Sequence, residues 1–286
     1  MTEGSELWEW GQGVRRVALG DATYGYVEQG EGEALLLLHG FTGSSASWQR
    51  VLPELAEQYR VIAVDLLGHG VSDAPSDAAR YRMVPVAADI AALLDHLEVA
   101  RAHLLGYSMG GRLALYLALL LPARWRSLIL ESSSPGLATP EERAERAARD
   151  EELAAFIEAE GIEPFVDDWE QLPLFASQQS LPAAIQAKQR RMRLRNRPAG
   201  LAGSLRGMGT GVQPSLWARL GELALPTLLL AGALDEKFVG IAQKMARVIP
   251  GATLAMVPDA GHTIHLEQTE TWLRVVTGWL GERESS

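Results

Sequence analysis

Ser108 stands where a hydroxyl can be made to react. It sits in Gly106-Tyr107-Ser108-Met109-Gly110, a G-x-S-x-G pattern. Residues 103–105 before it read as a buried strand, and 109–121 after it as a strongly apolar helix. A chain passing directly from strand to helix must turn sharply. Glycines at 106 and 110 give that turn room against neighbouring backbone. The turn presents the hydroxyl at the carboxyl end of a sheet. The Met109 N–H, at a helix start, is placed to stabilise an oxyanion. The competing reading is a chance match in a glycine-rich chain.

A serine hydroxyl is a poor nucleophile or base at neutral pH. It needs an imidazole to take its proton and a carboxylate to orient that imidazole. On a strand–turn–helix serine the partners follow in the order acid, then histidine. His262 falls at a loop tip after Gly261, past the last strand, with His265 as its rival. His96 and His103 come too early in the chain, in a helix and a strand. Asp235 follows the strand 226–231 and a short turn, with Glu236 as its rival; a mere helix cap is the bland alternative. Asp259 is nearer to His262 in sequence but lies inside the same loop. A second oxyanion donor is expected from the Phe41 N–H, in Leu38-His39-Gly40-Phe41-Thr42-Gly43 at the end of the first buried strand. An ordinary strand-ending turn is the alternative there. His39 and the loop 65–73 read as structural.

These side chains need a frame. Apolar runs at 34–38, 61–64, 103–105 and 127–130 read as strands, separated by helical stretches at 48–58, 85–97 and 109–121. That alternation predicts an α/β fold with a mostly parallel central sheet and helices on both faces. From 139 to about 200 the signals are helical, opening on Thr139-Pro140-Glu141-Glu142, a capping box. Alternation returns with strands at 226–231 and 252–257 and helices at 241–249 and 269–280. The organisation expected is a core of 1–133 and 214–286, with a helical lid at 134–213.

Composition narrows the function. With no cysteine, disulfides, thiolate metal sites and thiol catalysis are excluded. The formal net charge of −10 argues against nucleic acid as a partner. The charge is uneven: 141–170 is acidic, whereas 186–206 carries seven Lys/Arg and no acid. A small anion could therefore still find a positive pocket. The first residues lack a basic stretch leading into an apolar run, and no apolar stretch reaches the roughly 20 residues of a membrane span. A cytoplasmic protein, monomeric or a small homo-oligomer, is expected.

Larger blocks carry a family resemblance: LHGFTGSSASW at 38–48, GYSMGGRLALY at 106–116, ESSSPGL at 131–137, GLAGSLRGMGTGVQPSLW at 200–217 and DEKF at 235–238. With Arg146 to Asp150, Asp168-Trp169 and Pro173-Leu174-Phe175, they resemble the 2-succinyl-6-hydroxy-2,4-cyclohexadiene-1-carboxylate synthases (MenH family) of menaquinone biosynthesis, which have the α/β-hydrolase fold. The resemblance covers nearly all of the chain from about residue 34. It implies a lyase that expels pyruvate from an enolpyruvyl cyclohexene carboxylate, with no metal and no organic cofactor. Ser108 would act as a base and not be acylated, and Phe41 and Met109 N–H would hold the enolate.

The resemblance also assigns carboxylate binding to Arg112, Arg146 and Arg193, and pocket walls to Tyr107 and Trp169. Each has a bland alternative. Arg112 could lie at the surface, and Trp169 could be helical core. Arg146 could pair with Glu142 or Asp150 one helical turn away. Arg193 is crowded by four nearby arginines. The chain departs from the family at Thr269, Arg195 and Arg197, and its first 30 residues, with Trp8 and Trp10, carry little of the pattern. A carboxylesterase or C–C bond hydrolase on the same triad is the alternative enzyme. A non-catalytic ligand receptor is the alternative class.

Overall fold

The computed structural model describes residues 13–284. Trp8 and Trp10 lie outside them. Eight strands form one sheet: β1 (Val14–Leu19), β2 (Ala22–Gln29), β3 (Glu33–Leu38), β4 (Tyr59–Val64), β5 (Ala102–Tyr107), β6 (Trp125–Glu131), β7 (Thr227–Gly232) and β8 (Thr253–Val257). The spatial order is β1-β2-β4-β3-β5-β6-β7-β8. The β1–β2 and β2–β4 pairs are antiparallel; all others are parallel.

The helices are α1 (Leu52–Leu55), α2 (Met83–His96), α3 (Met109–Leu120), α4 (Pro140–Glu160), α5 (Ile162–Glu170), α6 (Ala183–Leu194), α7 (Pro198–Met208), α8 (Glu236–Ala246), α9 (Ile264–Glu267) and α10 (Thr269–Glu284). The period of two along the strands sorts their side chains. Leu36, Leu38, Ile62, Val64 and Leu104 pack with α2, α3 and α8 on one face. Leu35, Leu37, Val61, Ala63 and Leu105 pack with Trp48, α1 and α10 on the other. Both faces are covered, which explains why the parallel strands read as unbroken apolar runs.

Four expectations change. The helix expected over 48–58 is a 3₁₀ turn (Ser45–Trp48) followed by the single turn of α1, whose second residue is Pro53. Proline suits a first turn and cannot continue a helix from before it. The helix expected at 241–249 begins earlier, at Glu236, because Asp235 caps it, accepting from the Phe238 N–H at 3.3 Å. The capping box at Thr139 and Glu142 forms, but the further helical stretch expected at 150–160 is not separate from it: one helix runs unbroken for 21 residues. Strands β1 and β2 had no counterpart in the sequence pattern. β1 exposes Arg15, Arg16 and Ala18, and β2 is interrupted by Gly25.

Between β6 and β7 the chain forms α4–α7. Ala154, Ile157, Phe165, Val166, Leu201, Ala202 and Leu205 make a small core of their own. α7 also packs on the rest of the molecule through its glycines. A Cβ at Gly200 would lie 2.2 Å from the Gly68 carbonyl oxygen, and one at Gly203 would lie 2.6 Å from the Tyr81 ring.

Candidate active site

Ser108 joins β5 to α3 with φ +50°, a left-handed conformation that a non-glycine residue adopts only when its surroundings force it. Two hydrogen bonds do so: Ser108 N–H to the Glu131 carbonyl at 2.9 Å, and Arg112 N–H to the Ser108 carbonyl at 3.0 Å. The glycines are required by space. A Cβ at Gly106 would lie 2.4 Å from the Gly110 carbonyl oxygen, and one at Gly110 only 2.1 Å from that of Leu38. The helix thus rests directly on the ends of β3 and β5.

Asp235 and His262 come from the loops after β7 and β8. These loops are also locked by backbone contact. A Cβ at Gly232 would lie 2.0 Å from the Gly261 carbonyl oxygen, and the Leu234 N–H donates to the Ala260 carbonyl at 2.9 Å. Both Glu267 oxygens accept backbone N–H groups of the same loop, from Gly261 and Thr263. His262 Nδ1 lies 2.7 Å from Asp235 Oδ2, and its Nε2 lies 3.0 Å from Ser108 Oγ. His262 is 1% exposed, with the Phe238 ring 4.6 Å away, centroid to centroid. The rival His265 turns away and pairs with buried Glu131 at 2.8 Å. Asp235 serves as helix cap and histidine partner at once, one oxygen for each.

Phe41 follows β3 in a turn pressed against Ser108. A Cβ at Gly40 would lie 2.6 Å from the Tyr107 ring. His39 Nε2 accepts from the Leu66 N–H at 2.9 Å, so Nδ1 holds the proton and donates to the Gly40 carbonyl at 2.7 Å. The peptide is planar and trans, so fixing that carbonyl aims the Phe41 N–H the opposite way. Burial holds the His39 imidazole neutral, down to about 4. Among the described residues no group accepts from the Phe41 or Met109 N–H. Asp65, read as structural, accepts N–H groups from Ser45 and Val71.

A cavity of about 220 Å³ opens over Ser108 and His262. Tyr107, Met109, Arg112, Arg146 and Trp169 line it, as does Phe41. Arg112 is buried, and no carboxylate lies within ion-pair distance of it among the described residues. Its Nη1 donates to the Met208 carbonyl at 2.8 Å and to Gln213 Oε1 at 2.7 Å. Burial, with Arg146 nearby, pushes its guanidinium down to about 10. Arg146 pairs with Asp150 through Nε at 2.7 Å, the bland alternative, and lines the cavity as well. The Trp169 ring packs among Phe41, Phe165 and Phe175, and its indole N–H is buried without a partner among the described residues.

Arg193 does not line this cavity. It lies behind Phe175, its guanidinium carbon 5.1 Å from that ring, and donates to Glu170 at 2.9 Å and Gln178 at 3.2 Å. It faces a second pocket of about 190 Å³ on the outer side. The acid that holds it is 23 residues away, on another helix, and no local spacing points to it. Lys237 lines the Ser108 cavity and had no role in the sequence reading, although the DEKF run contains it. Among the described residues no cluster of three or more His, Asp or Glu could hold a metal ion, and no helix is long and apolar enough to cross a membrane.

Comparison with known proteins shows the family. The α/β hydrolase fold family matches residues 33–269. The 2-succinyl-6-hydroxy-2,4-cyclohexadiene-1-carboxylate synthase of Serratia proteamaculans (strain 568) is 34% identical over 89% of this chain and 96% of its own length. A Bacillus subtilis (strain 168) protein, provisionally given the same name, is 48% identical over 87% of this chain and 90% of its own. The MenH structure from S. aureus superposes with a TM-score of 0.87 at 40% identity, covering 91% of this chain and 98% of that one. The chain belongs to the α/β-hydrolase fold family and, within it, to the 2-succinyl-6-hydroxy-2,4-cyclohexadiene-1-carboxylate synthases.

Proposed function

We propose that this protein is a lyase that eliminates pyruvate from 2-succinyl-5-enolpyruvyl-6-hydroxy-3-cyclohexene-1-carboxylate, giving 2-succinyl-6-hydroxy-2,4-cyclohexadiene-1-carboxylate. The observation that carries the reading is Arg112: a buried cation beside Ser108 with no carboxylate within ion-pair distance among the described residues, Asp150 being held by Arg146. A buried charge without a partner is costly. An anionic substrate supplies the partner, and a neutral ester does not.

In the mechanism, Asp235 holds the His262 imidazole, and His262 takes the Ser108 proton as Ser108 Oγ removes the proton next to the succinyl ketone. The enolate oxygen is held by the Phe41 and Met109 N–H groups. Electrons pass into the ring, the ring C–O bond breaks, and pyruvate leaves as its enolate, which then takes up a proton. Arg112 and Arg146 bind substrate carboxylates, while Tyr107 and Trp169 shape the walls. Residues 134–213 act as a lid. The reading places the enzyme in the cytoplasm.

Ester or C–C bond hydrolysis is the second reading, because the Ser108–His262–Asp235 geometry serves acyl transfer equally well. Release of pyruvate from the enolpyruvyl substrate, followed with a coupled dehydrogenase, separates the two. Rapid release that is lost in Ser108→Ala supports the lyase. Fast turnover of aryl esters without pyruvate contradicts it.

A further inference from the structure

Gln213, on the segment after α7, is 1% exposed. Its Oε1 and the Met208 carbonyl accept from the same nitrogen, Arg112 Nη1. A guanidinium has only N–H groups to offer, so it dictates which way the amide faces. Oxygen points to Arg112, and Nε2 is left buried with no partner among the described residues. There is little room to relieve it: a Cβ at Gly136, on the cavity wall, would lie 3.1 Å from that nitrogen. Glutamate has the same shape, would strand no N–H, and would form an ion pair with Arg112. Its second oxygen would take the place of Nε2 and likewise lack a partner among the described residues, so what glutamate gains in stability is the ion pair. It would also cancel the Arg112 charge.

We infer that Gln213 is a positioning residue for substrate selection, fixing the Arg112 fork while leaving its charge to an anionic ligand. Nη1 gives its hydrogens to Gln213 and Met208. Nε and Nη2, which no described residue accepts from, are left for the cavity. The ion pair forgone is the cost of keeping that cation uncompensated. The inference rests on the reading of Arg112 as a carboxylate binder.

The test compares wild type with Gln213→Glu, Gln213→Ala and Arg112→Gln, by thermal unfolding and by pyruvate-release kinetics on the enolpyruvyl substrate. Gln213→Glu is expected to melt about 2–4 °C higher. Its KM should rise at least about tenfold with kcat within about threefold, the pattern of lost ground-state binding. Gln213→Ala should melt lower than wild type, with a smaller rise in KM. In an Arg112→Gln background, Gln213→Glu should not raise KM further. A purely structural glutamine would not raise the melting temperature while weakening substrate binding. A Gln213→Glu enzyme that melts lower, or keeps the wild-type KM, overturns the inference. Arg112→Gln alone then tells the two levels apart. If its KM rises, only the role of Gln213 falls; if it does not, the carboxylate reading of Arg112 falls too.

Discussion

Gly232 at the end of β7 and Arg206 on α7 show how differently the two sides of the cavity are held. On the sheet side, backbone meets backbone. The contacts at Gly106, Gly110 and Gly232 leave no space for even a methyl group. On the helical side, charges tie helix to helix. Arg206 binds Glu151 and Glu158 across α7 and α4, and Arg190 binds Asp167 and Glu170 across α6 and α5. Backbone close packing fixes atoms within tenths of an ångström. Partly exposed ion pairs tolerate rearrangement at small cost. The triad, which must hold a short proton path, is built on the first kind of contact. The helical wall adds the second kind to a small apolar core of its own.

The comparison can be broken hardest at the nucleophile. Ser108→Ala should lower pyruvate release by at least about a thousandfold with the melting temperature unchanged, because it removes chemistry and not packing. Gly110→Ala should lower both: the new methyl must displace the Leu38 carbonyl, and a misplacement of about 1 Å at the catalytic turn costs on the order of a hundredfold in rate.

Acid should sharpen the contrast. Burial lowers the imidazoles of His39 and His69 to about 4 and about 3. The unfolded chain takes up their protons below about pH 6.5 while the folded chain does not, so stability is complete above that pH and falls as pH drops toward 4. The expected slope is about 1.4 kcal/mol per pH unit for each histidine, read from denaturant melts between pH 7 and 4. His39→Gln should flatten part of it. The smallest effect belongs to the helical side: Arg206→Ala should cost at most about 1 kcal/mol in the same melts.

The two sides also differ in how far the sequence discloses them. Ser108, Asp235 and His262 each follow a strand within a few residues, and the local pattern of strand, turn and helix places them. The loop tip after Gly261 favoured His262 over His265; what holds His265 away, its buried partner Glu131, lies 134 residues off in the chain. Arg112 was marked by the family resemblance, and a charge one turn into an otherwise apolar helix agrees with it. Arg193 was not settled, because nothing local in a run of arginines says which of them turn toward Glu170, as Arg190 and Arg193 do. Lys237 hid beside Asp235. Strand β1 was invisible because an edge strand with one solvated side leaves little apolar pattern, and β2, though buried on both faces at 24–27, carries Thr23, Gly25, Glu28 and Gln29 among its apolar residues.

The central claim is that the cation beside the triad exists for a ligand. The direct measurement is kcat/KM for pyruvate release by wild type and Arg112→Gln across a range of ionic strength. Wild type should fall with salt, and Arg112→Gln should be weaker at low salt by roughly tenfold or more, as expected for a lost charge-assisted hydrogen bond, with a shallower salt dependence. Equal kcat/KM for the two proteins, with the same salt dependence, would contradict the account.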